Sequence, residues 1–293
     1  MRQFLLLSFL VTLVGCSYTG ITSSTVILEA EPARLADVLE AQPDDAKARY
    51  RYRHPAETLE FFGIAPGTTV VEALPGGGWY TKILIDYLGP EGQLIGADYA
   101  EAMWPKFGFF DDKFLKAKKS WPQDWPKQAQ QWRSQQSAPI RAFAFGRLPR
   151  DMHGTADAVL FIRALHNLAR FENDGGYLTA ALEDTYNVLK PGGIVGVVQH
   201  EARDEMSDEF ASGARGYLKK AKLIDIMRTA GFEYEGSRDF NENAQDQPTE
   251  EDVVWRLPPT YNGSADNPDL RAQMAAIGES NRMTLKFRKP KKR

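Results

Sequence analysis

With 293 residues, 36 Lys and Arg against 39 Asp and Glu, and one cysteine, the chain is long enough for one large domain with a full core. A net charge of −3 leaves no basic footprint for general nucleic-acid binding. A single thiol excludes an internal disulfide and a cysteine-rich metal site.

Arg2 precedes an apolar run from Phe4 to Val14 that only Ser8 and Thr12 interrupt. The run is too short for a comfortable bilayer span and reads as a targeting segment. It ends in Leu13-Val14-Gly15-Cys16, which resembles the bacterial lipobox. The resemblance implies that residues 1–15 are a signal peptide and that Cys16 carries lipid after the cut. The mature chain is then an exported, membrane-anchored lipoprotein facing the periplasm, and Ser17 after the cysteine favours the outer membrane. A cleaved secretory signal with an incidental cysteine is the plainer alternative. Residues 16–49 read as a tether and an N-terminal helix: Ser17 to Thr25 is small and polar, and Ala33 to Ala41 has helical spacing.

Pro55 to Phe62 predicts a short helix with proline in its first turn, broken by Gly63-Ile64-Ala65-Pro66-Gly67. Next come the apolar run Val70-Val71-Glu72-Ala73-Leu74, the turn Pro75-Gly76-Gly77-Gly78, and an amphipathic run to Leu88. That order is strand, glycine turn, helix, the nucleotide-binding start of a doubly wound α/β domain. A tight turn needs positive φ, and a ligand pressed on backbone leaves no room for Cβ. The helix start offers free N–H groups to a polar ligand. A dinucleotide fingerprint would place a glycine where Thr81 stands, which argues against a nicotinamide-dependent oxidoreductase. A second strand, Gln93 to Ala97, ends at Asp98, an acid placed to accept from ribose hydroxyls.

The stretch from about 101 to 136 is longer than an ordinary crossover requires. It holds Trp104, Trp121, Trp125 and Trp132 with four phenylalanines, punctuated by Pro105, Pro122 and Pro126. It reads as a helical insertion, whose aromatics either pack it to the core or wall the substrate. Ile140 to Phe145 is the third strand. Ala156 to Ile162, apolar but for Asp157, is a fourth, read as buried on both faces. A helix from Tyr177 to Leu189 stops at Lys190-Pro191-Gly192-Gly193, and Ile194 to Val198 is the fifth strand. Gly216 to Ala230 reads as a helix closed by Gly231. Phe232 to Asp239 and Met283 to Arg288 read as a final antiparallel hairpin, with Asn241 to Thr260 a polar surface loop between them. The basic end, Lys286 to Arg293, reads as a solvated tail.

On Glu72, the glycine turn and Asp98, the chain resembles the class I S-adenosylmethionine-dependent methyltransferases. Pro75-Gly76-Gly77-Gly78-Trp79-Tyr80-Thr81, Arg53-His54-Pro55-Ala56-Glu57 and Leu285 to Pro290 look like a narrower group, bacterial predicted methyltransferases of unassigned substrate. The resemblance covers roughly Tyr50 to Pro290. It departs from the family pattern where Leu74 replaces the first glycine and Pro75 follows. It implies a doubly wound, mostly parallel, Rossmann-like seven-stranded sheet with an antiparallel last strand, in one domain over 50–293. It implies that Glu72 and the turn Gly76, Gly77 and Gly78 hold the amino-acid end of S-adenosylmethionine and that Asp98 holds the ribose. Ala73, Tyr80 and Tyr99 complete the cofactor set.

In an open α/β sheet the ligand lies at the strands' carboxyl ends, which gathers Glu72, Asp98, Arg163, His166, Asn167, His200 and Glu201. Methyl transfer from a sulfonium is an in-line displacement governed by positioning. A base is needed only where the acceptor must lose a proton. His166, Asn167 and His200 are the candidates for that side of the chemistry, each histidine being equally able to serve as an ordinary hydrogen-bonded residue. His54 is expected over the cofactor and His153 at the surface. No close histidine ligand spacing, Gly-x-Ser-x-Gly elbow or phosphate loop is present, and the Asn/Asp-Pro-Pro-Tyr signature of adenine-nitrogen methylation is absent after the fourth strand. The expected function is methyl transfer to a small or lipid-associated acceptor, with no nucleic-acid partner. The other reading is an envelope lipoprotein that keeps the fold without catalysis.

Overall fold

The computed structural model describes residues 31–291. The expected signal peptide, Cys16 and most of the tether lie outside the described residues. Four helices open the structure: α1 (Glu31–Glu40), α2 (Asp44–Lys47), α3 (Tyr50–Arg53) and α4 (Pro55–Phe62). Pro55 occupies the first turn of α4, where its missing N–H costs nothing. The alternation then begins, with β1 (Thr69–Ala73), α5 (Trp79–Leu88), β2 (Gln93–Asp98), α6 (Asp112–Ala129) and β3 (Ile140–Ala144). It continues with β4 (Ala156–Ile162), α7 (Leu165–Arg170), α8 (Glu172–Gly175), α9 (Tyr177–Val188) and β5 (Leu189–Ala202). The chain closes through β6 (Leu218–Lys219), α10 (Lys220–Thr229), β7 (Glu233–Arg238), α11 (Pro268–Ile277) and β8 (Arg282–Arg288).

The sheet runs β3-β2-β1-β4-β5-β8-β7, with the two-residue β6 beside β5. β1 to β5 are mutually parallel, and β8 lies antiparallel to both β5 and β7. This is the doubly wound, mostly parallel Rossmann-like sheet, with an eighth short strand in addition to the seven expected. Successive residues point to opposite faces. Val71, Ile95, Val159 and Val195 face a core shared with α7, α9 and α10, while Val70, Leu94, Ala158 and Leu160 face α1, α4 and α5. Both faces are covered, which is why the strands read as continuous apolar runs. The direction of winding reverses between β1 and β4, and a ligand crevice opens at that switch point.

Three local expectations change, and the insertion proves to hold one long helix. Lys190 to Gly193 does not end before a strand begins. It is an excursion inside β5, which pairs Leu189 with Ala156 and then Ile194 with Ala158, and Gly192 turns it at φ 83°. The helix expected from Gly216 begins only at Lys220, because Leu218 and Lys219 pair with Glu201 and Ala202. The insertion contains one 18-residue helix, α6, running through Pro122 and Pro126. Trp121 and Trp125, four apart and so on one face, stack with centroids 5.2 Å apart. A Cβ on Gly96 would lie 2.6 Å from the Trp125 ring, so β2 uses glycine there to admit the tryptophan. The segment from Asn241 to Thr260 is not simply a surface loop. Asn241 is buried and donates to Thr58 and Thr284, and Val254 and Leu257 are buried.

Candidate functional site

β1 and β4 are neighbours, and each ends in a non-glycine residue with left-handed backbone: Leu74 at φ 54° and Arg163 at φ 60°. Such residues cost about 1 kcal/mol or more apiece and persist only where the surroundings hold them. Here each N–H extends the sheet by one bond, Leu74 to the Ala97 carbonyl and Arg163 to the Val198 carbonyl, both at 2.7 Å. The chain then swings away at both strand ends and leaves a cleft of about 590 Å³ between them. Leu74, Pro75, Gly76 and Gly77 form one wall, and Arg163, His166 and His200 another. Arg49 and Arg53 close one side, and Trp255 to Thr260 another.

The glycine turn is tied by Gly78 N–H donating to the Pro75 carbonyl at 2.9 Å. Gly76 and Gly78 carry positive φ, whereas Gly77 does not. A Cβ on Gly77 would meet nothing within 4 Å, so it would project into open space. A Cβ on Gly78 would lie 2.7 Å from the Trp132 ring, so that glycine is covered by the insertion.

The two histidines come together, with ring centroids 5.6 Å apart. Gln199 sets the proton position of His166. Its Nε2 donates to the Gly216 carbonyl at 2.9 Å, which fixes Oε1 toward His166. Oε1 accepts from the His166 backbone N–H at 3.3 Å and faces Nδ1 at 3.4 Å. An amide oxygen only accepts, so the proton sits on Nδ1 and Nε2 keeps its lone pair. Burial pushes His166 down to about 4, with Arg163 and Arg170 adding to the shift against the Gln199 bond. His200 Nδ1 pairs with Ser280 Oγ at 2.6 Å, and burial, then the neighbouring His166 and Arg282, push His200 well below its ordinary range. Both imidazoles are neutral near pH 7.

Other residues singled out in the sequence lie behind the cleft. Glu72 is buried and accepts from Thr81 Oγ1 at 2.6 Å. Threonine at this position thus ties the strand end to the first turn of α5. Burial raises the Glu72 carboxyl to about 7 against the pull of the Thr81 bonds. Ala73 is in the core beneath the turn. Tyr80 is buried and donates to the Arg53 carbonyl at 3.3 Å. Tyr99 donates to the Ala164 carbonyl at 2.8 Å, and Asn167 Nδ2 donates to the Tyr99 hydroxyl at 3.4 Å. Asp98 is 2 % exposed. Lys118 donates to its Oδ2 at 2.7 Å, and the Tyr99 N–H to its Oδ1 at 2.9 Å. Glu201 takes no place in the cleft wall, and His54 caps α4 beside Phe240, outside it. His153 is exposed.

Sequence reading missed most of the charged wall. Arg49, Arg53 and Arg282 all contact the buried Glu279 carboxylate. These residues come from the first helices, from the turn before β8 and from the first position of β8 itself. A larger groove, about 1080 Å³, lies between α9 and α10. It contains none of the residues following β1 or β4.

No family model matches the chain, and no curated protein matches it. Among solved structures, the cyclase SpnF aligns over 82% of this chain and 81% of its own, at 17% identity and TM-score 0.48. A SAM-dependent methyltransferase from Aquifex aeolicus aligns over 72% and 93%, at 16% identity and TM-score 0.45. The geranyl diphosphate C-methyltransferase of Streptomyces coelicolor A3(2) aligns over 88% and 87%, at 13% identity and TM-score 0.48. Likenesses this distant carry no inference about the chemistry of this chain.

Proposed function

We propose that the chain binds S-adenosylmethionine at the glycine turn after β1 and transfers its methyl group to a small or lipid-associated acceptor held against β4 and β5. The observation that carries this reading is one cleft containing both the open face of Gly76 and Gly77 and the two neutral histidines. The cleft fits the amino-acid end of the cofactor, since backbone at Gly77 is unobstructed. Asp98 lies behind the cleft lining and is paired with Lys118, so a ribose meets it only when that bond is given up. When bound, the cofactor supplies an electrophilic methyl on a sulfonium.

The chain's own residues then position and, for a protonated acceptor, remove a proton. His166 Nε2 is the basic atom, because Gln199 keeps the proton on Nδ1. Trp255, Leu257 and Pro258 give the cleft an apolar side that excludes water from the acceptor. Calorimetry of S-adenosylhomocysteine binding to the purified chain in detergent tests the reading. Micromolar affinity, lowered about tenfold by Asp98→Ala, is the expected result. No binding by the wild type removes the enzyme reading.

A second reading has its own support. Lys118 on Asp98 and Trp132 on Gly78 cover two positions that the cofactor would use. These contacts favour an envelope protein that keeps the cleft for another ligand without methyl transfer. Cleft ligands that bind while S-adenosylhomocysteine does not would decide for it.

We also propose an address for the chain. Cys16, at the lipobox-like site, anchors the exported chain, most simply in the outer membrane. Cys16→Ser is expected to shift the protein from the membrane fraction to the soluble one or to leave the precursor uncut. An unchanged mass and unchanged fractionation reject the anchor.

A further inference from the structure

We propose that the cleft binds an anionic group, a carboxylate or a phosphate, on the guanidiniums of Arg53, Arg163 and Arg282. This deepens the methyl-transfer reading and rests on it for what the ligand is, whereas the anion site itself stands on these side chains.

Four guanidiniums gather at this end of the sheet against one carboxylate. Glu279 is 2 % exposed. Arg49 donates to its Oε1 through Nε at 2.6 Å, Arg53 Nε lies 3.2 Å from both oxygens, and Arg282 Nη2 contacts Oε2. Three arginines therefore use up the acceptor capacity of that carboxylate. Burial raises the Glu279 carboxyl, but Arg282, Arg53, Arg163 and Arg49 together hold it at about 2. Arg163 is the fourth cation, and its guanidinium makes no hydrogen bond or ion pair with any described residue. Burial, then Arg53 and Arg282, disfavour its charged form, and the nearby Glu279 carboxylate favours it. A guanidinium does not shed its proton in response, so Arg163 stays a half-buried cation at the cleft whose donors no described residue takes.

A second observation points to a ligand at the same place. Arg53 is 4 % exposed, and its Nη1 is buried with no partner. Arg53, Arg163 and Arg282 together wall a small cavity of about 10 Å³ and also line the main cleft. At most one water fits there. Arg282 is held in place by donating to the Tyr52 carbonyl at 3.0 Å and to Ser280 Oγ at 3.2 Å. Arg53 lies over the Trp79 ring at 4.5 Å. The donors are thus fixed before the ligand arrives, the arrangement suited to forked recognition of a carboxylate or phosphate. The remaining charges at the cleft do not satisfy them. The Asp45 carboxylate, exposed at the rim, accepts from the Ala46 N–H, and the Lys82 ammonium, another cation, lies over Trp132. The same cleft is lined by Trp255, Leu257 and Pro258. The ligand class this selects is an acid or phosphate ester with an apolar body.

The test is titration of the full chain in detergent, followed by calorimetry and thermal shift, with three probes. These are inorganic phosphate, S-adenosylhomocysteine, and 5′-methylthioadenosine, which lacks the carboxylate. Arg163→Met is the informative variant because Arg163 has no partner to orphan. Its melting temperature is expected to stay equal or rise, while phosphate affinity falls about tenfold or more. Arg163→Lys, which keeps the charge, should recover part of that loss. If Arg163→Met also weakens S-adenosylhomocysteine but not 5′-methylthioadenosine, the bound anion is the cofactor's own carboxylate. If only phosphate is lost, the anion belongs to the acceptor. Phosphate binding that depends on Arg163 in a chain that never binds S-adenosylhomocysteine upholds the anion site while removing methyl transfer. Absence of phosphate binding by the wild type, or equal binding by Arg163→Met, overturns the proposal.

Discussion

Lys118 reaches back from the middle of α6 to place its ammonium 2.7 Å from the Asp98 carboxylate at the end of β2. The same ammonium lies 3.9 Å from the centre of the Trp104 ring. The insertion is therefore locked onto the strand end through a buried ion pair, and the acid expected to hold a ribose is already paired.

Removing one partner of a buried pair leaves the other charge uncompensated. Lys118→Met should lower stability by about 3 kcal/mol at pH 7. The loss should shrink toward pH 5, because burial already raises the Asp98 carboxyl and without Lys118 protonation relieves its charge. Asp98→Asn added to Lys118→Met should recover most of the stability. Urea unfolding at both pH values checks this, and a pH-independent loss would remove the electrostatic account.

Glu72 has the opposite sign of pH dependence from a stabilising carboxylate. Its folded-state carboxyl titrates near 7, above its unfolded value. Its contribution is therefore complete at low pH and is lost as pH rises through about 7. Glu72→Gln keeps an acceptor for Thr81 and cannot ionise. The variant should match the wild type near pH 4.5 and be more stable by roughly 1–3 kcal/mol at pH 8. A variant less stable at pH 8 would show that the charge is needed in the fold.

Adjacent glycines should respond differently. Gly77→Ala has room and an ordinary φ, so melting should be unchanged while affinity for the ligand of the turn falls about tenfold or more. Gly78→Ala forces Trp132 aside at φ 79° and should cost about 2 kcal/mol or more. Equal melting of the two variants contradicts the packing described here.

His166 offers a kinetic signature. With its ring titrating near 4, the unprotonated form persists well below neutrality, and turnover should fall only as pH drops through about 4. His166→Ala should lower turnover by roughly 10²-fold with cofactor affinity nearly unchanged. An acid limb near 6.5, or full turnover in the variant, removes His166 as the base.

The elements of this protein were legible in its sequence because they depend on local pattern. A short apolar run such as Ala158 to Ile162 reads as a strand buried on both faces, and a glycine turn between strand and helix needs backbone freedom that few residues have. The gathering of His166 and His200 also follows from topology, since both stand at carboxyl ends of adjacent parallel strands. Tertiary structure alone decided what those ends contain. Arg53 and Glu279 meet across 226 residues, Arg163 becomes a cation without a partner, and Lys118 reaches Asp98 from a helix whose docking no local pattern announces. Charge is silent in periodicity: an arginine reads as a solvated surface residue until the fold shows which arginines share a cleft and how few carboxylates accompany them.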